Sequence, residues 1–148
     1  MASVSDADLK AMTQDERVKA LGMTTDQLTG RSMYMEFDPD ASDRLTYPWA
    51  PDVDFNKRTE VDCDDKSTTE VNKEIRALMD EGYGTVVLKN PRGMHSLGVG
   101  ILSKLNLIIE GSTGYFAVGL IDGPNVRING RVGWSCAENM MSGTVMIE

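Results

Sequence analysis

Between Ser67 and Gly82 the chain sets Val71, Ile75, Leu78 and Met79 at i, i+4, i+7 and i+8, with polar residues between them. That spacing predicts a helix from Thr68 to Asp80 with one apolar face. Ser67 followed by Glu70 is a capping-box pair, and Gly82 stands where a C-terminal cap belongs. A weaker capping pattern, Thr13 with Glu16, precedes Val18 and Leu21 and predicts a short helix around Asp15 to Leu21, with a second starting at Thr24 or Thr25. From Met33 to Val61 no period is sustained. Asp, Pro, Ser and Thr dominate there, and Tyr47, Trp49 and Phe55 are scattered among them, which reads as an extended arm.

After Gly82 the pattern changes from helical to alternating. Twelve of the fourteen glycines lie from Gly82 onward, between short clusters of Val, Ile and Leu. Laid against itself, this half repeats at an offset of nineteen: Leu107, Val126 and Val145; Ile109, Ile128 and Ile147; Glu110, Asn129 and Glu148; Gly111 with Gly130; Gly114 with Gly133. Each repeat opens with a strand showing one apolar face and then turns at G-x-x-G. One strand and fixed glycines per period of about twenty residues predict a solenoid, whose coils bury their apolar faces by stacking. The fold class expected is mainly β, a right-handed parallel β-helix with an N-terminal helix cap and an irregular, partly helical arm. A less regular first coil runs from Thr85 through Val86, Leu88, Gly93 and Gly100, and the helix from Thr68 to Asp80 is expected to cover it.

In this reading Gly111, Gly114, Gly130, Gly133 and Gly143 turn the coils, because sharp corners often need positive φ. Trp134, Met140 and Met141 are the expected contact residues, packing between coils or against another chain. The division expected is an acidic extension over residues 1–66 and a glycine-rich β-helix domain over residues 67–148. The domain is expected to be incomplete or to need a partner over its far end, because open β-helix edges invite pairing.

Charge sharpens the picture at the front. Residues 1–66 hold fifteen acidic and eight basic side chains, against eight and seven in residues 67–148, within a total of −8. With no basic patch, nucleic acid and anionic membrane surfaces are poor partners. No apolar run reaches the length that spans a bilayer, and the first ten residues lack a signal-peptide pattern, so a cytoplasmic location is expected. Cys63 and Cys136 are far apart in sequence and no C-x-x-C occurs, which suggests neither a disulfide framework nor a metal cluster.

Candidate chemistry is sparse. Cys136 with His95, the single histidine, is the one imaginable nucleophile pair, against the plainer role of a small buried thiol. Asp38 to Asp43 begins like a calcium loop but has Asp43 at the sixth position and Trp49 at the twelfth, which excludes an EF-hand. Gly98 to Ser103, "GVGILS", holds two thirds of a dinucleotide motif without the third glycine. Arg92 in "KNPRGMHS" could meet an anion, though an Asn-Pro turn accounts for the segment.

The segments "NPRGMHSLGVG", "EGSTGYFAVGL" and "NGRVGWSCAENMMSGTVMIE" resemble the glycine-rich (GXGXG) β-helix domain of the glutamate synthase large subunit. The likeness is strongest to its stand-alone form in glutamate synthase-like and N-methylglutamate synthase complexes, and it covers roughly Thr68 to Glu148. It implies a non-catalytic structural subunit that bridges a glutamine amidotransferase (glutaminase) subunit and an FMN-binding synthase subunit with an iron-sulfur cluster. No catalytic, cofactor-binding or metal residue is then expected here. The sequence begins Met-Ala-Ser without a cysteine nucleophile in second position, and two cysteines are too few for a cluster. The resemblance leaves residues 1–66 unassigned, and their acidity and aromatics would suit a strap across a partner. The alternatives are a β-helix subunit of a formylmethanofuran dehydrogenase-type complex and a free-standing protein-binding module using the methionine-bearing face.

Overall fold

The computed structural model describes residues 50–148, all within one compact unit. The expected helices around Asp15 to Leu21 and from Thr24 or Thr25, the Asp38 to Asp43 loop, and the arm as far as Trp49 lie outside the described residues. Five strands and one helix follow in order: β1 Asp54–Asp62, α1 Thr68–Asp80, β2 Tyr83–Lys89, β3 Asn106–Glu110, β4 Asp122–Asn129 and β5 Ser142–Ile147. The strands form a single parallel sheet in the order β1-β2-β3-β4-β5.

The register matches the sequence repeat. Leu107 pairs with Val126 and Val126 with Val145; Ile109 pairs with Ile128 and Ile128 with Ile147. The earlier coil joins two residues out of step, Val86 opposite Leu107 and Leu88 opposite Ile109. Val86, Leu88, Leu107, Ile109, Val126 and Ile128 have no exposed surface and form one continuous stack. Full burial of each contributes roughly 1.5–3 kcal/mol. Val87 and Ile108, at the alternate positions, are buried too, so β2 and β3 are covered on both faces, as their unbroken apolar runs suit.

The return side of each coil is not a strand. Residues 95–100, 115–120 and 134–139 are turns in which every second residue is left-handed: Ser96, Gly98, Gly100; Phe116, Val118, Leu120; Ser135, Ala137, Asn139. These runs stack through backbone bonds such as Gly100 N–H to Gly119 C=O at 3.0 Å and Val118 N–H to Leu97 C=O at 2.8 Å. Seven of the nine left-handed residues are not glycine, a costly choice for a β-branched residue such as Val118. Val118 is fully buried, and its Cγ1 occupies the space a Cβ on Gly98 would need, so a large side chain in one coil fills the gap left by glycine in the coil before.

Helix α1 has the expected capping box: the Ser67 hydroxyl accepts from Glu70 N–H, and the Glu70 carboxylate accepts from Ser67 N–H at 2.7 Å. Val71, Ile75 and Met79 are buried in the core and Leu78 packs beside them. Two polar side chains dock the helix on the first return run: Arg76, whose Nη2 donates to Val99 C=O at 2.9 Å, and Asn72. Its Nδ2 donates to Ser96 C=O at 2.9 Å, and its Oδ1 accepts from Gly98 N–H at 2.8 Å. In the next coil the equivalent amide, Val118 N–H, bonds to the backbone of the coil before it. A helix has no spare carbonyls along its side, so an asparagine side chain supplies the acceptor instead.

Strand β1 departs from the expected arm. Residues Asp54–Asp62 pair in parallel with β2, from Arg58 opposite Thr85 to Asp62 opposite Lys89, with a register shift between Asp54 and Arg58. Phe55 and Val61 are its buried residues. Two apolar side chains in nine residues, with a bulge between them, leave no readable alternation, and the strand is specified by the edge of β2 that it covers.

Candidate functional site

The glycines expected at the turns exclude a side chain for two different reasons, and Gly143 lies within β5 and not at a corner. Gly111 and Gly143 adopt φ of +133° and +107°. Gly114, Gly130 and Gly133 have ordinary φ but no room: a Cβ on Gly130 would lie 2.6 Å from Gly111 C, and one on Gly133 would lie 2.6 Å from Gly114 C. Coil-on-coil approach, more than backbone handedness, excludes side chains at those three.

Trp134 continues a stack of rings that climbs the coils. His95 and Tyr115 stack at 4.8 Å between centroids, Tyr115 and Trp134 at 5.5 Å. His95 Nδ1 accepts from Tyr115 N–H at 2.8 Å, which fixes the first rung. Tyr115 is 53% exposed and Trp134 80%. The methionine pair divides: Met140 packs against the core, and Met141 is 72% exposed. Leu102, just beyond the first return run, and Leu120 are further exposed apolar residues.

The nucleophile pair is not assembled. His95 lies in the first return run and Cys136 in the third, two coil spacings or about 10 Å apart. The Cys136 thiol packs against the core, and burial pushes its pKa up. Cys63 is fully buried, and desolvation pushes its thiol up to about 11. Both are poor thiolates. Arg92 is engaged by Asp64, Nε to Oδ1 at 2.6 Å and Nη2 to Oδ2 at 2.9 Å. In "GVGILS" the amides of Gly98 and Gly100 bond to Asn72 and Gly119, and no helix follows to receive a phosphate. Among the described residues, no group of three or more His, Cys, Asp or Glu side chains is placed to hold a metal ion. None of the described helices is long and apolar enough to cross a membrane.

Sequence reasoning missed two ladders. Thr85, Asn106, Asn125 and Thr144 occupy one register position in four successive strands. Buried Asn106 donates to Thr85 Oγ1 at 3.2 Å, and Thr85 donates to Phe55 C=O at 3.0 Å, tying β3 to β1 through β2. The offset of nineteen contains Asn106, Asn125 and Thr144, and it contains Tyr115 with Trp134; Thr85 and His95 fall outside it, standing twenty-one and twenty residues before their partners.

The arrangement therefore offers surfaces and stacking groups, with no cluster of reacting groups among the described residues. In comparisons with known proteins, no family model matches. No solved structure matches either. The chain is similar to Protein GlxC of Rhizobium meliloti (strain 1021), 40% identical over 87 residues, which is 56% of this chain and 38% of that protein. The match thus spans well under half the length of this relative.

Proposed function

We propose that the chain is a non-catalytic β-helix subunit of a glutamine-dependent, glutamate synthase-like complex that makes an amino acid. The observation that carries the reading is where the residues behind the resemblance are spent. Gly111, Gly114, Gly130 and Gly133 are consumed by the connections after β3 and β4, Gly143 by close approach to the Pro124 backbone within β5, and the segment from Trp134 to Met141 by a return run and its exposed rim. Such residues fix the shape of a surface and leave the chemistry to other subunits. The similarity to Protein GlxC supports the same reading. A glutaminase subunit would release ammonia, and an FMN- and iron-sulfur-containing synthase subunit would use it, with this chain holding the two together.

The test is gentle isolation of the tagged chain from its source organism, with mass spectrometry and a visible absorption spectrum of what accompanies it. A yellow-brown preparation containing a glutaminase and a flavoprotein is the expected result. A molybdenum or tungsten protein in their place would move the chain to a formylmethanofuran dehydrogenase-type complex, and a colourless chain without companions would refute the subunit reading.

A further inference from the structure

Strands β2 and β3 are buried on the face that turns away from the coil interior. Val86, Leu88, Leu107 and Ile109 belong to the interior cluster, and the return runs and α1 send Leu97, Val118, Val71 and Ile75 to the same cluster. Thr85, Val87, Asn106 and Ile108 stand at the register positions between them, on the opposite face of the sheet. None of these four is more than 5% exposed, yet Val87 and Ile108 are not members of the interior cluster. Among the described residues no further helix or strand remains to be laid over them.

Their neighbours in the sheet do not close the gap. Long side chains can lie along an apolar row, and the row through Val87 and Ile108 is flanked by Glu60 and Arg127. Glu60 reaches towards Lys89, 3.7 Å away, with its own side chain 66% exposed. Arg127 is turned to Asn129 and Glu148. A row this deeply buried therefore has a cover, and because these are the exposures of a single chain, the cover belongs to this chain.

We propose that the remainder of the arm, Met33 to Trp49, crosses the outer face of β2 and β3 and closes it. The segment carries Tyr34, Met35, Phe37, Leu45, Tyr47 and Trp49, apolar surface suited to a two-strand patch. Four residues separate Trp49 from Asp54 at the start of β1, the strand beside the patch. Seventeen residues reach about 55 Å when extended, and crossing the whole sheet from β1 to β5 takes only about 19 Å. The acids Glu36, Asp38, Asp40 and Asp43 are interspersed and stay in water when the apolar residues turn to the sheet. The strap expected to cross a partner thus ties down its own sheet, and this face is closed to other subunits. The proposal does not rest on the subunit reading.

Two measurements on the full chain test it. Phe37→p-benzoylphenylalanine and Tyr47→p-benzoylphenylalanine are made singly, irradiated at low concentration and digested. The expected result is a cross-link within one molecule to peptides of β2 or β3. Separately, Ile108→Cys is labelled with a thiol reagent in the otherwise unchanged chain and in one that also carries Phe37→Ser, Leu45→Ser, Tyr47→Ser and Trp49→Ser, and the introduced thiol is followed by peptide mass spectrometry. The four serines should speed its labelling at least about tenfold. Cys63, buried in the interior, reports global opening and should label no faster; if it does, the cross-links alone decide. Cross-links confined to the return runs, to α1 or to a second molecule overturn the proposal. So does an Ile108→Cys thiol that labels equally fast with and without the serines.

Discussion

Thr113 offers a test in which the repeat predicts its own improvement. Thr113 is 6% exposed, and its Oγ1 has no hydrogen-bond partner among the described residues. A buried, unsatisfied hydroxyl costs about 1–3 kcal/mol relative to one that is paired or hydrated. The equivalent residue one coil later is Val132, so the corner already accepts the isosteric valine shape. Thr113→Val keeps the β-branched stiffness, removes the orphan hydroxyl and adds an apolar methyl worth about 0.8 kcal/mol on burial. Allowing for imperfect fit, stability should rise by about 1–2 kcal/mol, a gain in Tm of roughly 3–6 °C for a chain of this size. Urea unfolding followed by circular dichroism measures the first, and calorimetry the second. Thr113→Ser, which keeps the hydroxyl and loses the methyl, should go the other way. A valine variant no more stable than the parent would refute the reasoning, because it would mean that the hydroxyl has a partner such as a buried water.

Gly130→Ala should cost more than about 2 kcal/mol or prevent folding, since the new Cβ meets Gly111 backbone at 2.6 Å. Gly93→Ala, at φ +75° but in open space, should cost only about 1 kcal/mol, and urea midpoints of the pair measure the contrast. Asn72→Ala removes two bonds that satisfy the first return run and should destabilise by about 1–2 kcal/mol, with faster amide exchange at Gly98 as its local signature. Hydrogen bonds from the Ser67 hydroxyl and amide hold Glu70 below its ordinary 4.5, and those from Asp64 N–H and Asn90 hold Asp62 below its ordinary 3.8. Because both folded values are depressed, their contribution is complete above the ordinary values and is lost as pH falls through the lowered ones. Urea midpoints should therefore drop on acidification from about pH 5 towards pH 3, and Glu70→Gln should flatten part of that fall.

The sheet was legible because its apolar residues obey two constraints at once, alternation along each strand and an offset of nineteen between strands. Leu107, Val126 and Val145 satisfy both, and they lie in register. Helix α1 was legible for a similar reason, its period and its capping box agreeing on one start. β1 was hidden because Phe55 and Val61 alone face inward, and their spacing is interrupted by a bulge. The return runs were hidden more deeply. Left-handed backbone at Phe116, Val118 and Leu120 runs against every local preference and is imposed by the bonds to the coils on either side. Of the candidate surface, Trp134 and Met141 were legible as large apolar residues in a polar run. Tyr115 and the stacking role of His95 were missed, because the repeat was aligned on apolar and glycine positions and His95 stands twenty residues, not nineteen, before Tyr115.

The proposed role gives this chain shape alone and leaves the chemistry to other subunits. It is tested most directly by reconstitution of the glutamine-dependent reaction from the isolated glutaminase and synthase subunits, with and without this chain. Omission should abolish amino-acid formation from glutamine, while glutamine hydrolysis and ammonia-dependent synthesis persist in the separated subunits. Addition of the double variant His95→Gln, Cys136→Ala, which keeps an acceptor for Tyr115 N–H and a small filler beside the core, should restore the coupled reaction to near the wild-type rate. A double variant that folds and joins the complex but restores nothing would place chemistry in this chain and contradict the account.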